Sequence, residues 1–397
     1  MKIHVDVKGP EVFTPCNPVK GVVRLKLLRS TVVKDLIISL QGSVRTSLVE
    51  PGPAFILGND APTVAEEVHE LFKLSKGLSP QGNMRLTPRE YTLPAGEHYF
   101  PFEISFPSDP QYEPSHPGLE GNETVLPPSY QAHAAEHGAA AKVEYILKVD
   151  VNRPGQLRTT RSTSTQRKLT FLSPDPDPYS MPSLRLPYYG RQGVLYTSSQ
   201  APHLIVEGRL PSPVLFPGEK LPLHLFVWGL PTRFESFSQV RLRSLSITLQ
   251  STTLITAGTH RTSWTTFRNL HEFTNLKGII SGAQDNGPLS EINESIYRNV
   301  VIPKVAPSFT TCTIEQKYAL GVDVGLSVGE MTNLKPVNIV LNVQIWSGIG
   351  NRRAYPAIPS GPTWSEGIPS AVPLSPGYLA HLGAFGPDAE DGPPPYY

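Results

Sequence analysis

The sequence is poor in cysteine, in net charge and in long apolar segments. Its two cysteines, Cys16 and Cys312, lie far apart in the chain, which excludes a disulfide framework and favours a reducing compartment. The formal net charge of +1 at pH 7 gives no bias toward nucleic acid or an anionic membrane. No apolar run approaches the roughly 18–20 residues that span a bilayer.

The first eight residues, from Met1 to Lys8, alternate apolar and polar side chains. This period of two predicts a strand and not a signal peptide. Since no membrane-spanning segment is apparent either, we expect a soluble protein of the cell interior.

Proline and glycine are abundant, with 42 and 32 residues, whereas only 17% of the residues are charged. This composition favours many short strands joined by turns and argues against long helices. Apolar and polar alternation predicts strands in both halves of the chain. They lie at residues 19–28, 33–44, 98–106, 143–151 and 166–171, and at residues 204–207, 221–227, 240–255, 311–324 and 337–346.

Two distant stretches carry similar motifs in the same order. Their spacing is too long for solenoid repeats, whose units run to roughly 20–50 residues, so the sequence predicts a duplicated domain. The paired positions are Pro15 with Pro217, Gln41 with Gln250, His69 with His271, Tyr130 with Phe309, and Tyr145 with Tyr318.

The predicted fold is all-β, with two tandem antiparallel β-sandwiches. The first sandwich is expected at residues 1–172 and the second at residues 203–347. Repeated prolines predict an extended linker at residues 173–202. Residues 348–397 are rich in proline and glycine without an apolar period, which predicts a disordered tail.

Several segments of the first half resemble the N-terminal domain of an arrestin. They are Ile38-Ser39-Leu40-Gln41-Gly42, residues 96–102, Leu126-Pro127-Pro128-Ser129-Tyr130, and residues 143–147. Residues 203–346 resemble the arrestin C-terminal domain less closely, and the whole resembles the alpha-arrestins more than the visual arrestins. The resemblance implies two immunoglobulin-like, arrestin-type sandwiches in a cytoplasmic adaptor that is recruited to the plasma membrane or endosomes. It also implies that the protein is no enzyme, needs no cofactor and binds no nucleic acid.

The sequence closes with Pro-Pro-x-Tyr in two overlapping registers. The residues are Pro393, Pro394, Pro395, Tyr396 and Tyr397. Consecutive prolines hold a polyproline II helix before binding, so little entropy is lost when it docks on a WW domain. In alpha-arrestins such tail motifs recruit HECT-type ubiquitin ligases, and the resemblance implies the same partner here.

A second match, Pro127-Pro128-Ser129-Tyr130, coincides with the arrestin-like segment and has a counterpart ending at Phe309. We interpret it as a structural turn that buries its aromatic ring. Tyr130 and Phe309 are therefore expected to be buried, equivalent residues of two similar sandwiches.

Gly325-Leu326-Ser327-Val328-Gly329 matches the Gly-x-Ser-x-Gly turn of serine hydrolases. That turn needs a helix after the serine, and an acidic residue and a histidine downstream. Pro336 and another strand follow instead, so we expect a hairpin turn at Ser327.

His133-Ala134-Ala135-Glu136-His137 matches a zinc-enzyme motif, His-x-x-Glu-His. It lies in a short Ala/Gly-rich connection without the long helix that such an enzyme needs. We therefore expect a surface loop without a metal.

The densest positive cluster comprises Arg153, Arg158, Arg161, Arg167 and Lys168. Solvated strand edges commonly look like this. The alternative is contact with acidic or phosphorylated cytoplasmic segments of cargo, or with anionic lipid.

Three functions remain open. The first is an adaptor that links membrane transporters or receptors to a ubiquitin ligase for endocytosis. The second is an arrestin-fold scaffold of endosomal sorting or pH signalling without the ligase. The third and most remote is a serine hydrolase or zinc enzyme that uses Ser327 or the His133/His137 pair.

Overall fold

The computed structural model describes residues 1–15, 17–50, 63–78, 91–108, 125–154, 160–176, 188–194, 204–229, 240–274, 276, 278–279, 290–328 and 336–349. Strands dominate these residues, with 3-10 turns at Ala135–His137 and Glu294–Ile296. No helix in the described ranges is long and apolar enough to cross a membrane. The strands are β1 (Lys2–Lys8), β2 (Val12–Phe13), β3 (Val19–Leu27), β4 (Thr31–Val33), β5 (Asp35–Glu50), β6 (Thr63–Gly77), β7 (Tyr91–Leu93), β8 (Gly96–Ile104), β9 (Tyr130–Ala134), β10 (Ala139–Pro154), β11 (Thr160–Phe171), β12 (Tyr188–Val194), β13 (Leu204–Leu210), β14 (Val214–Leu215), β15 (His224–Gly229), β16 (Val240–Ala257), β17 (His260–Phe273), β18 (Gly278–Ile279), β19 (Ser290–Glu291), β20 (Phe309–Thr310), β21 (Ile314–Val328) and β22 (Val337–Ile345).

The first half is a sandwich of two sheets. One has the order β1-β3-β8, and the other has the order β2-β11-β10-β5-β6 with β9 paired to β10. Burial alternates along β3 and β10, because successive side chains of a strand point to opposite faces. The inward faces meet in a core whose aromatic centre is Phe106, Tyr145 and Phe171, with ring centroids 4.6–5.6 Å apart.

The second half repeats this architecture. One sheet has the order β12-β13-β15-β19, and the other has the order β14-β22-β21-β16-β17, with β18 paired to β16 and β20 to β21. Its core is mostly aliphatic, with the fully buried Leu225, Ile247, Leu320 and Leu341 among its members. The predicted all-β fold with two sandwiches is confirmed.

The duplication extends to individual hydrogen bonds. In each half a short strand runs parallel to the last strand, β2 beside β11 and β14 beside β22. In each half a buried tyrosine also ties the Pro-Ser turn to the sheet. The matched contacts are Tyr145 OH to Pro127 O (2.6 Å) and Tyr318 OH to Ala306 O (2.8 Å), and Phe171 N to Ser129 Oγ and Ile345 N to Ser308 Oγ (both 2.9 Å).

The central strands keep the predicted correspondence. Gly42 lies opposite Tyr145, and Ser251 lies opposite Tyr318. The pairing of Gln41 with Gln250, one residue earlier on each strand, is therefore confirmed.

The edge strands, β6 and β17, do not keep the predicted correspondence between the two halves. His69 of β6 lies opposite Val44, and the residue equivalent to Val44 is Thr253, which lies opposite Trp264. The prediction that His69 corresponds to His271 is wrong. Each edge strand has a one-residue bulge against its neighbour, and because the two bulges shift the pairing equally they do not cause the difference. The connections differ in length instead: residues 51–62 separate β5 from β6, whereas only residues 258–259 separate β16 from β17.

Part of the predicted linker is a strand. β12, within residues 173–202, pairs with β13 over its whole length. It also packs on the facing sheet, where a Cβ atom added at Gly190 would lie 2.7 Å from the Leu341 side chain. These residues belong to the second sandwich and do not act as a spacer.

The start of the same linker is held against the end of the second sandwich. The Ser347 and Gly348 amides donate to the two carboxylate oxygens of Asp175, at 2.6 and 2.7 Å. The described residues of both halves fall in one compact unit, Met1–Arg352.

Candidate functional site

The internal Pro-Pro-x-Tyr segment, residues 127–130, lies at the joint between the two sandwiches. The Tyr130 hydroxyl donates to Gln316 Oε1 at 2.6 Å and lies 2.7 Å from Thr253 Oγ1. Its ring packs edge-on against Phe309, with centroids 5.0 Å apart. Tyr130 therefore holds the two halves together, which agrees with a structural role for the segment.

The predicted burial of Tyr130 and Phe309 in separate cores is wrong. Both side chains are half-buried, and they contact each other across the joint. The two positions are equivalent in the duplication, since each opens a short strand on the central strand of its sheet.

Further contacts tighten this joint. Thr46 Oγ1 donates to the Thr256 carbonyl at 2.7 Å, and the Gly258 amide donates to Glu67 Oε2 at 2.7 Å. Glu67 Oε1 also lies 2.6 Å from His69 Nε2. Apolar residues of the second half join the core of the first: Ile255, Ala257, Trp264 and Ile314. The joint is thus a packed interface with buried polar contacts.

The basic cluster is divided between two faces of β10 and β11. Arg167 lies opposite the buried Leu147, and its neighbour Lys168 lies on the other face of the strand. Arg153 donates through Nη2 to Thr163 Oγ1 at 3.3 Å, and its Nε is buried without a hydrogen-bond partner. Arg161 lies opposite Arg153 in the strand pairing, and Arg158 lies outside the described residues.

Lys168 is engaged in a local charge network. Its Nζ lies 2.7 Å from Glu144 Oε1, and Lys142 Nζ is at the same distance from that oxygen. Burial opposes ionisation of Glu144, but the two lysines outweigh it and lower the pKa of the carboxyl. Lys168 is therefore a poorer candidate for an anionic partner than Arg167, which is exposed and outside this network.

Ser327 is not in a hairpin turn, which corrects that prediction. It lies within β21, opposite Arg241 of β16, and is fully buried. Its Oγ accepts a hydrogen bond from Arg243 Nε at 2.9 Å. A strand residue with a buried hydroxyl does not present the exposed nucleophile of a serine hydrolase.

The His133–His137 motif is at the surface as predicted, but only its second half is a connection, because His133 is a strand residue. His133 belongs to β9 and lies opposite Ala140, and His137 ends a 3-10 turn. Both side chains are exposed. Among the residues that the structure describes, no group of three or more His, Cys, Asp or Glu side chains is placed to hold a metal ion.

The terminal motif of Pro393, Pro394, Pro395, Tyr396 and Tyr397 lies outside the described residues, so its binding role stays a prediction. The joint partners Thr253 and Gln316 were missed from the sequence. Only their position on central strands beside the Pro-Ser turns could have indicated them.

Residues 1–170 match the family model of the arrestin (or S-antigen) N-terminal domain. No curated protein matches the chain. The matched region ends at the last strand of the first sandwich, β11, and the second sandwich repeats its topology. The first sandwich is therefore an arrestin-family N-terminal domain, and this domain supports an arrestin-type adaptor or scaffold.

Proposed function

We propose that this protein is an adaptor of the alpha-arrestin type. It binds cytoplasmic segments of membrane transporters or receptors and brings to them a HECT-type ubiquitin ligase, whose WW domains bind at Pro393–Tyr396 or Pro394–Tyr397. Cargo would then be ubiquitinated and enter endocytosis. The adaptor works in the cytoplasm and is recruited to the plasma membrane or endosomes, and catalysis belongs to the ligase.

The main support for this proposal is that the internal Pro-Pro-x-Tyr motif, residues 127–130, already makes contacts within the protein. A WW domain needs the proline rings and the tyrosine ring of its ligand in its own grooves. The Tyr130 hydroxyl is already hydrogen-bonded to Gln316 of the second sandwich, and Ser129 Oγ accepts a hydrogen bond from the Phe171 amide. Of the two Pro-Pro-x-Tyr sites, a WW partner would therefore use the one at residues 393–397.

The cargo surface that we favour is the basic edge of the first sandwich. Arg167 is exposed on β11, and among the described residues the stretch 160–169 of this strand pairs with β10 alone. Guanidinium groups bind carboxylates and phosphates through paired hydrogen bonds, and a strand with an open edge can accept an extended peptide. Holding ligase and cargo on one chain raises their effective concentration.

The test is a titration of the full chain with isolated WW domains. Replacing Tyr396 and Tyr397 together by Ala is expected to abolish binding, because each register supplies its own tyrosine. Wild-type affinity for one WW domain should be on the order of micromolar or weaker. Tyr130→Ala is the matched control and should bind like the wild type.

The ligase itself is sought by affinity purification from cell extract, with a chain lacking residues 392–397 as the comparison. Enrichment of a WW-containing HECT ligase only by the intact chain supports the adaptor. Equal recovery by both chains favours the second candidate, an arrestin-fold scaffold without ligase.

A further inference from the structure

A groove of about 310 Å³ opens between the two sandwiches, next to the joint. The first half contributes Ser129, Tyr130 and Gln131, and the second contributes β16, β17 and β21 together with residues 304–306. Ligand sites occur preferentially between domains, and this volume is at the lower end for small-molecule pockets.

The charged residues that line the groove are both cations, Arg268 and Lys304. Neither forms an ion pair or a side-chain hydrogen bond with a residue that the structure describes, whereas several cations on other strands are paired. Examples of such pairs are Lys20–Glu103, Arg24–Asp6, Lys26–Glu97, Arg45–Glu66 and Lys317–Glu315. The described lining of the groove thus carries two positive charges and no carboxylate.

The strand pairing places Arg268, Thr266, Ser251 and Tyr318 on one face of the sheet. On β17, Arg268 lies opposite Leu249 of β16, and Thr266 lies opposite Ser251 of β16. On its other side, Ser251 lies opposite Tyr318 of β21. Ser251 Oγ accepts from Gln316 Nε2 at 2.6 Å, and the Ser251 side chain also forms a hydrogen bond with Tyr318. Burial raises the pKa of the Tyr318 phenol to about 12, and the charge of nearby Arg268 opposes that rise.

We infer that this groove binds a small phosphate ester. A guanidinium and an ammonium group together match a doubly charged tetrahedral phosphate better than a single carboxylate. The remaining lining includes Leu249, Val305 and the Tyr130 ring, which suits a compact carbon skeleton attached to the phosphate. Because both halves line the groove, a bound ester contacts both sandwiches.

The experiment is isothermal titration of the full chain with phenyl phosphate, inorganic phosphate and benzoate. Phenyl phosphate is expected to bind best, with a Kd of about 0.1–1 mM, and benzoate is expected to bind worst. Arg268→Gln and Lys304→Gln should each weaken phenyl phosphate binding by about tenfold. Both side chains are exposed, so unchanged melting temperatures should show that the variants fold.

Arg261→Gln is the matched control. Arg261 is also an exposed arginine of β17 but lies on the opposite face from Arg268, so binding should be unchanged. Three results would each overturn the inference: no heat with phenyl phosphate, equal weakening by Arg261→Gln, or equally tight binding of benzoate.

A phosphate ester could also be a lipid headgroup, and a separate measurement distinguishes the two sources. The full chain is sedimented with phosphatidylcholine vesicles with and without phosphatidylinositol 4-phosphate. No dependence of sedimentation on Arg268 and Lys304 supports a soluble ester. Sedimentation that requires both residues would overturn the soluble-ligand assignment.

Discussion

Tyr130→Ala and Tyr130→Phe test how the two sandwiches are held together. The Phe variant removes one hydroxyl, while Gln316 Oε1 still accepts from Thr253 at 2.7 Å, so the loss should be about 1 kcal/mol. The Ala variant also removes the ring. Complete burial of such a ring is worth about 3–5 kcal/mol, and because Tyr130 is half-buried we expect about 2–4 kcal/mol.

The contact with Phe309 is measured separately by a double-mutant cycle. Tyr130→Ala, Phe309→Ala and the double variant should show a coupling of about 0.5–1.5 kcal/mol, as edge-on aromatic pairs do. The assay is equilibrium urea unfolding of the full chain, followed by tryptophan fluorescence and far-ultraviolet circular dichroism.

A single unfolding transition is expected for the wild type, because Met1–Arg352 forms one compact unit. Loss of the Tyr130 ring should separate the transitions of the two halves. An unchanged midpoint in Tyr130→Ala, or zero coupling with Phe309, would refute the proposed role of the joint.

Three further predictions concern the cores. Gly42→Ala would place a methyl group 2.8 Å from the Tyr145 ring, and this overpacking should lower the free energy of unfolding by about 1–3 kcal/mol in urea titrations. Ser327→Ala removes the acceptor of Arg243 Nε and should cost about 1–3 kcal/mol in the same assay, whereas covalent labelling of Ser327 by a fluorophosphonate would contradict its structural assignment. Burial raises the Tyr318 pKa from 10.0 to about 12, so its stabilising contribution is complete below pH 10 and is lost as the pH rises through about 12; Tyr318→Phe should lose less stability over that interval, and equal losses would contradict this.

The alternation of apolar and polar residues determined most of the strands. Side chains of a strand alternate between faces. A strand with one buried face, such as β10, can therefore be predicted from the alternation of apolar and polar residues in its own sequence. The same rule shows that the adjacent Arg167 and Lys168 cannot share a face, although a count of positive charges places them together.

The sequence predicted equivalent positions of the two halves correctly on the central strands but not on the edge strands. β5 and β16 are held by neighbours on both sides, which fixes the correspondence of Gln41 with Gln250. β6 and β17 follow connections of different length, residues 51–62 and residues 258–259, so their pairing is offset between the halves and the resemblance around His69 and His271 did not reflect equivalent positions. β12 was missed because its partner β13 and the close approach at Gly190 are tertiary features.

The sequence by itself determined that there are two sandwiches, that the first half is arrestin-like, and that Tyr130 and Phe309 are equivalent positions after Pro-Ser turns. Only the tertiary structure decided that these two rings meet and that Arg268 and Lys304 share a groove. The physical reason is that alternation and turn signals act over a few residues. The docking of one sandwich on the other depends on contacts between residues such as Tyr130 and Gln316, which are 186 positions apart.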